Sequence, residues 1–146
     1  MLAASILATS APPIPTVRGW AGRYGGAALL LDLTQAVPGY SAHPALLARL
    51  GEISASAAST GYGPIDGDPG LREALAADAS LFYGATISPG EVAITAGANL
   101  GFAMVMATLA GPGARVGLPT PWYFNHAMTL SMQGSMAVPI PCHARN

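Results

Sequence analysis

Residues 91–126 read EVAITAGANLGFAMVMATLAGPGARVGLPTPWYFNH, and this stretch decides the fold class. Two short apolar runs, residues 92–95 and 115–118, have the length and the flanking turn residues that are typical of β-strands. Between them a helix is predicted from about residue 99 to 109, and the Gly-Pro-Gly sequence at 111–113 ends it. A strand, a helix and a second strand in succession indicate an open α/β sheet.

The same alternation continues after residue 118. A helix is predicted from about residue 124 to 132, and a third strand from 137 to 140. The predicted fold class is therefore α/β, with an incomplete open sheet and flanking helices. Because an α/β sheet normally has more strands than these, we interpret the chain as truncated after residue 146.

Upstream of residue 92 the sequence predicts two helices. Ser41 is the candidate N-cap of the first, which runs to about Ser54. Asp68 and Gly84 hold the N-cap and C-terminal glycine positions of the second. Its buried face is expected to carry Leu71, Leu75, Ala79 and Phe82, with Arg72 and Glu73 towards solvent. The other predicted features are a strand at 29–33 and an extended N-terminal arm containing Pro12, Pro13 and Pro15, with a short helix at 18–24.

The composition excludes several classes of function. Charged residues make up 9% of the chain, against about 25% in ordinary soluble domains, and the net charge is −1. A net charge this close to zero does not indicate the basic surface that binds nucleic acid or an anionic membrane. The longest apolar run, residues 100–110, is shorter than the roughly 20 residues needed to cross a bilayer. The N-terminus lacks the positive charge of a signal peptide, so a cytoplasmic location is predicted.

A metal site is not expected from the sequence. Cys142 is the single cysteine, and the three histidines at 43, 126 and 143 are far apart, without the spacing of metal ligands. Each histidine on its own is better explained as an ordinary structural residue.

Two segments follow the ends of the predicted strands, where ligands bind in open α/β sheets. The first is TAGAN at 95–99, where small residues and a helix N-terminus suit an anion such as phosphate, although tight packing alone also explains them. The second is PTPWYFNH at 119–126, which has three successive aromatic residues. Core packing is the simpler explanation, above all for Trp122 and Phe124, but a flat heteroaromatic cofactor needs a ring on which to stack.

Taken together, the motifs resemble the opening part of a class I/II aminotransferase, of the fold-type I enzymes that use pyridoxal 5'-phosphate (PLP). The resemblance runs from about Pro12 onward. The matching segments, in the family's order, are QAVP at 35–38, Tyr62 with Gly67 and LREA at 71–74, EVAITAGAN at 91–99, GPG at 111–113 and PTPWYFNH at 119–126. The resemblance implies that residues 1–40 are an N-terminal arm and the edge of the small domain. Residues 41–146 would then be the first part of the large, PLP-binding domain.

The resemblance also implies the roles of individual residues. Gly97, Ala98 and Asn99 would bind the PLP phosphate, and Tyr123, favoured over Trp122, would stack on the pyridine ring. Tyr62 would reach the phosphate of the neighbouring subunit's cofactor, which implies a homodimer. The backbone at Ala36 and Val37 would contact the substrate carboxylate. The family usually has glycine where this chain has Ala36.

The 146 residues contain no lysine, because all six basic residues are arginine. Enzymes that use PLP hold it as a Schiff base on a lysine amine. The resemblance therefore implies the N-terminal portion of an enzyme that transfers an amino group between an amino acid and a 2-oxo acid. Because the Schiff-base lysine is absent, we expect no catalytic residue in this chain and no activity of the chain alone. The alternatives are the front half of a related PLP lyase or synthase, and a non-catalytic fragment or phosphate-binding module.

Overall fold

The structure is a computed structural model that describes residues 1–35 and 37–143, except the side chain of Ala58. The chain forms two compact units, one made of Met1–Gln35 with Ala96–Asn146 and the other of Ala36–Thr95. Along the described residues, the helices are α1 (Ala4–Ala8), α2 (Ile14–Ala21), α3 (Pro44–Ser54), α4 (Pro69–Tyr83), α5 (Ala98–Leu109) and α6 (Phe124–Met132). The strands are β1 (Arg115–Thr120) and β2 (Met136–Pro141), and two 3₁₀ turns span Ala57–Thr60 and Pro89–Glu91.

The strand–helix–strand unit predicted for the C-terminal half is confirmed. β1 and β2 pair in parallel, with Arg115 opposite Met136 and Thr120 opposite Pro141, and α6 connects them. α6 contacts α1, α5 and β2. The fold is therefore α/β, with a small open sheet flanked by helices.

Two predicted strands are wrong. Residues 92–95 and 29–33 are irregular, and neither run pairs with another strand among the described residues. The backbone N–H of Ile94 instead donates to the carbonyl of Asp66, at 2.9 Å. A β-strand exists only through hydrogen bonds to a neighbouring strand, and an apolar pattern alone does not supply that neighbour.

The prediction of an extended N-terminal arm is wrong where α1 and α2 form, although the short helix predicted at 18–24 overlaps α2 over residues 18–21. α2 begins directly after Pro13, which is its N-cap residue, and Pro15 lies in its first turn. Proline fits this turn because the first N–H groups of a helix have no partner within the helix. In the same unit, the Thr9 hydroxyl at the end of α1 bonds to the hydroxyl of Ser131 on α6, at 3.0 Å.

The ends of α3 and α4 follow the sequence closely. The Asp68 carboxylate accepts a hydrogen bond from the Leu71 N–H at 3.0 Å, and Gly84 ends α4 with a left-handed φ of 63°. Both features were predicted. At α3 the predicted end is confirmed, but the N-cap is His43 rather than Ser41, since the His43 Nδ1 atom accepts from the Ala45 N–H at 3.2 Å.

The predicted inner face of α4 is wrong at its three large apolar residues, although Ala79 is half-buried and Glu73 is exposed, as predicted. Leu71, Leu75 and Phe82 are exposed, whereas Ala76 is buried and Arg72 is turned inward with 16% of its side chain exposed. Residues 72, 76, 79 and 80 form the protected stripe, and α4 contacts the turn at Pro89–Glu91. Among the described residues of the other unit, the buried apolar side chains are Ala110, Leu118 and Leu130.

The turn before residue 92 contains a carboxylate with a perturbed pKa. The Glu91 Oε2 atom accepts hydrogen bonds from the Ser88 N–H at 2.8 Å and from the Ser88 hydroxyl at 3.0 Å. These bonds stabilise the ionised form, so the pKa of Glu91 in the folded chain is lowered from its ordinary value of 4.5.

We expect this turn to be destabilised as the pH falls from the ordinary pKa of Glu91 through its lower pKa in the folded chain. Since the folded pKa is lowered, the stabilisation is present above the unfolded value and is lost as the pH falls through the folded value. The Ser88 amide proton, followed by NMR during an acid titration, should report this change. In Glu91→Gln the carboxylate transition should disappear, and an unchanged titration of the Ser88 amide in that variant would contradict the assignment.

Candidate functional site

Residues 97–99, at the N-terminus of α5, are exposed to solvent. Gly97 has a φ of 88° and a ψ of 159°, and α5 begins at the next residue, Ala98. A Cβ built on Gly97 would meet no atom of the described residues within 4 Å. Ala98 and Asn99 are exposed, and the first N–H groups of a helix have no carbonyl acceptor within that helix. Backbone N–H groups can therefore approach an anion here without a basic side chain.

Tyr123 lies at the other end of the predicted site, after the carboxyl end of β1. It is the N-cap residue of α6, and 49% of it is exposed. Its ring lies 5.0 Å from that of Phe124, with a tilt of 58° between the planes. Trp122 lines a separate cleft together with Ala127 and Ser131 of α6. Tyr123 thus presents a large part of its side chain to solvent.

His126 links Tyr123 to α5. Its imidazole stacks on the ring of Phe102, with 4.2 Å between the ring centroids and 23° between the planes. The Tyr123 ring meets the same imidazole edge-on, at 5.4 Å and 87°. Phe102 lies four residues after Ala98 on α5, which is about 6 Å along the helix axis. A chain of ring contacts therefore runs from Tyr123 to α5, the helix that begins directly after Gly97.

The hydroxyl group of Tyr123 is also held. The side-chain amide of Asn125 donates a hydrogen bond to the Tyr123 oxygen at 2.8 Å. Asn125 and His126 are both half-buried, whereas Tyr123 is exposed. The sequence reasoning missed Phe102, Asn125 and His126, and it treated His126 as an isolated histidine. The available signal was the spacing of three between Tyr123 and His126, which brings side chains together at a helix terminus.

The other predicted site residues lie elsewhere. Tyr62 and Val37 belong to the unit of residues 36–95, and both are exposed. Ala36 lies outside the described residues. The structure therefore brings Gly97, Ala98, Asn99 and Tyr123 into one compact unit, while the roles of all these residues remain predictions.

Within residues 1–35 and 37–143, no group of three or more His, Cys, Asp or Glu side chains is placed to hold a metal ion. In the part of the chain that the structure describes, no helix is both long enough and apolar enough to cross a bilayer.

Comparison with known proteins gives the family. The model of the aminotransferase class I and II family matches residues 30–146. The chain belongs to this family. Transaminase BacF of Bacillus subtilis is 32% identical over 118 residues, which are 80% of this chain and 30% of BacF. The valine–pyruvate aminotransferase of Mycobacterium tuberculosis is 38% identical over 82 residues, which are 56% of this chain and 21% of that protein.

Solved structures agree with the family assignment. Substrate-bound BacF superimposes with a TM-score of 0.81 and 27% identity, over 98% of this chain and 37% of BacF. The N-succinyldiaminopimelate aminotransferase of Mycobacterium tuberculosis shares the fold, with a TM-score of 0.80 and 24% identity, over 100% of this chain and 37% of that chain. The chain thus spans about a third of the length of these relatives.

Proposed function

We propose that this chain is the N-terminal portion of a PLP-dependent aminotransferase and that it supplies the phosphate-binding and ring-stacking parts of the cofactor site. The observation that carries the proposal is the pairing of two features within one unit. The open N-terminus of α5 at Gly97 suits a phosphate, and the exposed ring of Tyr123 is joined to the same helix through His126 and Phe102.

The residues present fit a flat ring that carries a phosphate. The N–H groups of Ala98 and its neighbours would hold the phosphate, and Asn99 would add its side-chain amide. Gly97 suits this role for two reasons. A side chain there would occupy the open space beside the helix N-terminus, where the phosphate would lie, and the positive φ of Gly97 disfavours any other residue. Tyr123 would stack on the cofactor ring. When bound, the cofactor supplies the electron sink for chemistry at the α-carbon of an amino acid.

The proposed substrates are an amino acid and a 2-oxo acid, in a cytoplasmic enzyme. In the homodimer, Tyr62 would contact the phosphate of the partner's cofactor. The backbone at Ala36 and Val37 would contact the substrate carboxylate, and residues 1–40 and 41–146 would be parts of the small and large domains. Because the 146 residues contain no lysine, we expect the chain by itself to bind the cofactor reversibly and to be inactive.

The test uses pyridoxamine 5'-phosphate, which has no aldehyde and so forms no Schiff base with the N-terminal amine. Isothermal titration of the 146-residue chain should show that this ligand binds at least about tenfold more tightly than pyridoxamine, a difference of about 1.4 kcal/mol for the phosphate. Replacing Gly97 with alanine should remove most of that difference, because the new methyl group crowds the phosphate.

Gly113→Ala is the matched control. Gly113 also has a positive φ, of 82°, and a Cβ there would likewise meet no described atom within 4 Å. Both variants should lose about 1 kcal/mol of stability from backbone strain. Only Gly97→Ala should lose phosphate-dependent affinity. Equal binding of the two ligands by the unaltered chain, or equal loss of affinity in both variants, would refute the proposal.

A further inference from the structure

The aromatic ring of Tyr123 is fixed at two places, although half of the residue is exposed. Its ring forms a T-shaped contact with the His126 imidazole, and its hydroxyl oxygen accepts the hydrogen bond from Asn125. An exposed side chain without such contacts changes rotamer within nanoseconds. Here a rotation about χ1 would break both contacts together.

The two residues that hold Tyr123 also have fixed positions of their own. His126 lies in the first turn of α6, where its N–H donates to the Tyr123 carbonyl at 3.0 Å, and its ring stacks on Phe102 of α5. The α5 and α6 helices contact each other, and the side-chain amide of Gln133 on the C-terminal side of α6 donates to the Ala103 carbonyl at 2.9 Å. The Tyr123 ring is thereby held relative to α5 and not only relative to its own helix.

We propose that His126 and Asn125 are positioning residues that set the plane of the Tyr123 ring relative to the N-terminus of α5. The proposal rests on the function proposed above, in which those two places bind the ring and the phosphate of one cofactor. A rigid ligand that contacts both places binds best when the spacing between them is set in advance. Phe102, through its stack with His126, fixes that spacing.

The proposal predicts an effect on ring recognition that is separate from phosphate binding. In Asn125→Ala, the Kd for pyridoxamine 5'-phosphate should rise by about three- to tenfold, the usual range for losing one side-chain hydrogen bond. The Kd for inorganic phosphate, which touches only the α5 N-terminus, should stay unchanged. A variant that is merely less folded would lose affinity for pyridoxamine 5'-phosphate and for inorganic phosphate to the same extent.

A double-mutant cycle supplies the control. Tyr123→Phe keeps the ring but removes the hydroxyl that Asn125 holds, so adding Asn125→Ala to Tyr123→Phe should cause no further loss. In the same way, His126→Ala should weaken binding of pyridoxamine 5'-phosphate, and His126→Phe, which keeps a ring on Phe102, should restore most of it.

A measurement without any ligand separates this inference from the proposed function. With ¹³C-labelled tyrosine, the ring signals of Tyr123 should shift in Asn125→Ala and in His126→Ala, whereas those of the exposed Tyr24 should not. If the unaltered chain binds no ligand, the proposed function fails while these signals still decide whether the ring is held. Any of three results would overturn the inference. These are unchanged Tyr123 ring signals in both variants, an equal loss of affinity for pyridoxamine 5'-phosphate and inorganic phosphate, and an effect of Asn125→Ala that is as large in Tyr123→Phe as in the unaltered chain.

Discussion

Replacing Arg72 with methionine should lower the free energy of unfolding of the unit formed by residues 36–95 by about 2–4 kcal/mol. The Arg72 guanidinium donates to the Pro89 carbonyl from Nη2 at 2.7 Å and to the Val92 carbonyl from Nε at 2.8 Å. It also pairs with the Asp66 carboxylate. These contacts join α4, the turn at Pro89–Glu91 and the loop before α4. Methionine would leave the Val92 carbonyl and the Asp66 carboxylate without the Arg72 donor, while the Pro89 carbonyl would keep only the Val92 N–H, at 3.3 Å.

The carbonyl bonds should contribute more than the ion pair. Asp66 is half exposed, and water screens charges at the surface, so we assign the pair with Asp66 at most about 1 kcal/mol. The Val92 carbonyl depends on an Arg72 side chain that is only 16% exposed, and the same side chain adds its donors to the Pro89 carbonyl, which otherwise accepts only the Val92 N–H. Asp66→Asn should therefore destabilise the chain less than Arg72→Met.

Arg49→Met is the matched control. Arg49 also pairs with an acidic residue, Glu52, at 2.8 Å, but both side chains are about two-thirds exposed, at 69% and 65%. Exposed pairs of this kind on a helix contribute roughly 0.3–0.5 kcal/mol. Urea denaturation of the three variants, followed by circular dichroism, measures the difference. Equal losses in Arg72→Met and Arg49→Met would show that the network around Arg72 does not stabilise the fold.

Local signals in the sequence predicted the parts of the fold that local interactions determine. The Asp68 cap, the left-handed Gly84 and the bounds of α6 follow from residues within one or two turns of each other. The inward side of α4 depends on a contact with residues 89–91, about 17 positions after Arg72. The periodic pattern of apolar residues within α4 does not record this contact. The large apolar residues of α4 therefore predicted an inner face that differs from the protected one.

The candidate site shows the same limit. The small residues at 97–99 and the aromatic residue at 123 were predicted from their own chemistry and from the resemblance. The link between them depends on Phe102, which lies 24 positions before His126 and looks like any apolar residue of a buried helix. A contact between two helices cannot be derived from one sequence when neither residue carries a distinctive charge or motif.

Replacing Leu130 with alanine should have an effect of similar size in the unit that holds the candidate site. Leu130 is on α6, has no exposed surface, and is the largest fully buried side chain among the described residues. α6 contacts α1, α5 and β2, so the cavity left by alanine would lie where these elements meet. Truncations of this kind cost about 2–5 kcal/mol, because the apolar transfer energy is lost and the cavity closes only in part.

Leu109→Ala shows whether burial, rather than loss of leucine in general, causes the effect. Leu109 is at the end of α5 in the same unit and is 76% exposed, so its truncation should change stability by no more than about 0.5 kcal/mol. Both variants should be compared by urea denaturation, with the Tyr123 ring signals recorded alongside. Gln133, three residues after Leu130, donates its side-chain amide to the Ala103 carbonyl of α5. Leu130→Ala should therefore also weaken the contact between α5 and α6, the two helices that hold Tyr123 in place. If Leu130→Ala costs no more than Leu109→Ala, the packing of α6 does not hold this unit together, and the Tyr123 ring must be fixed by its own contacts alone.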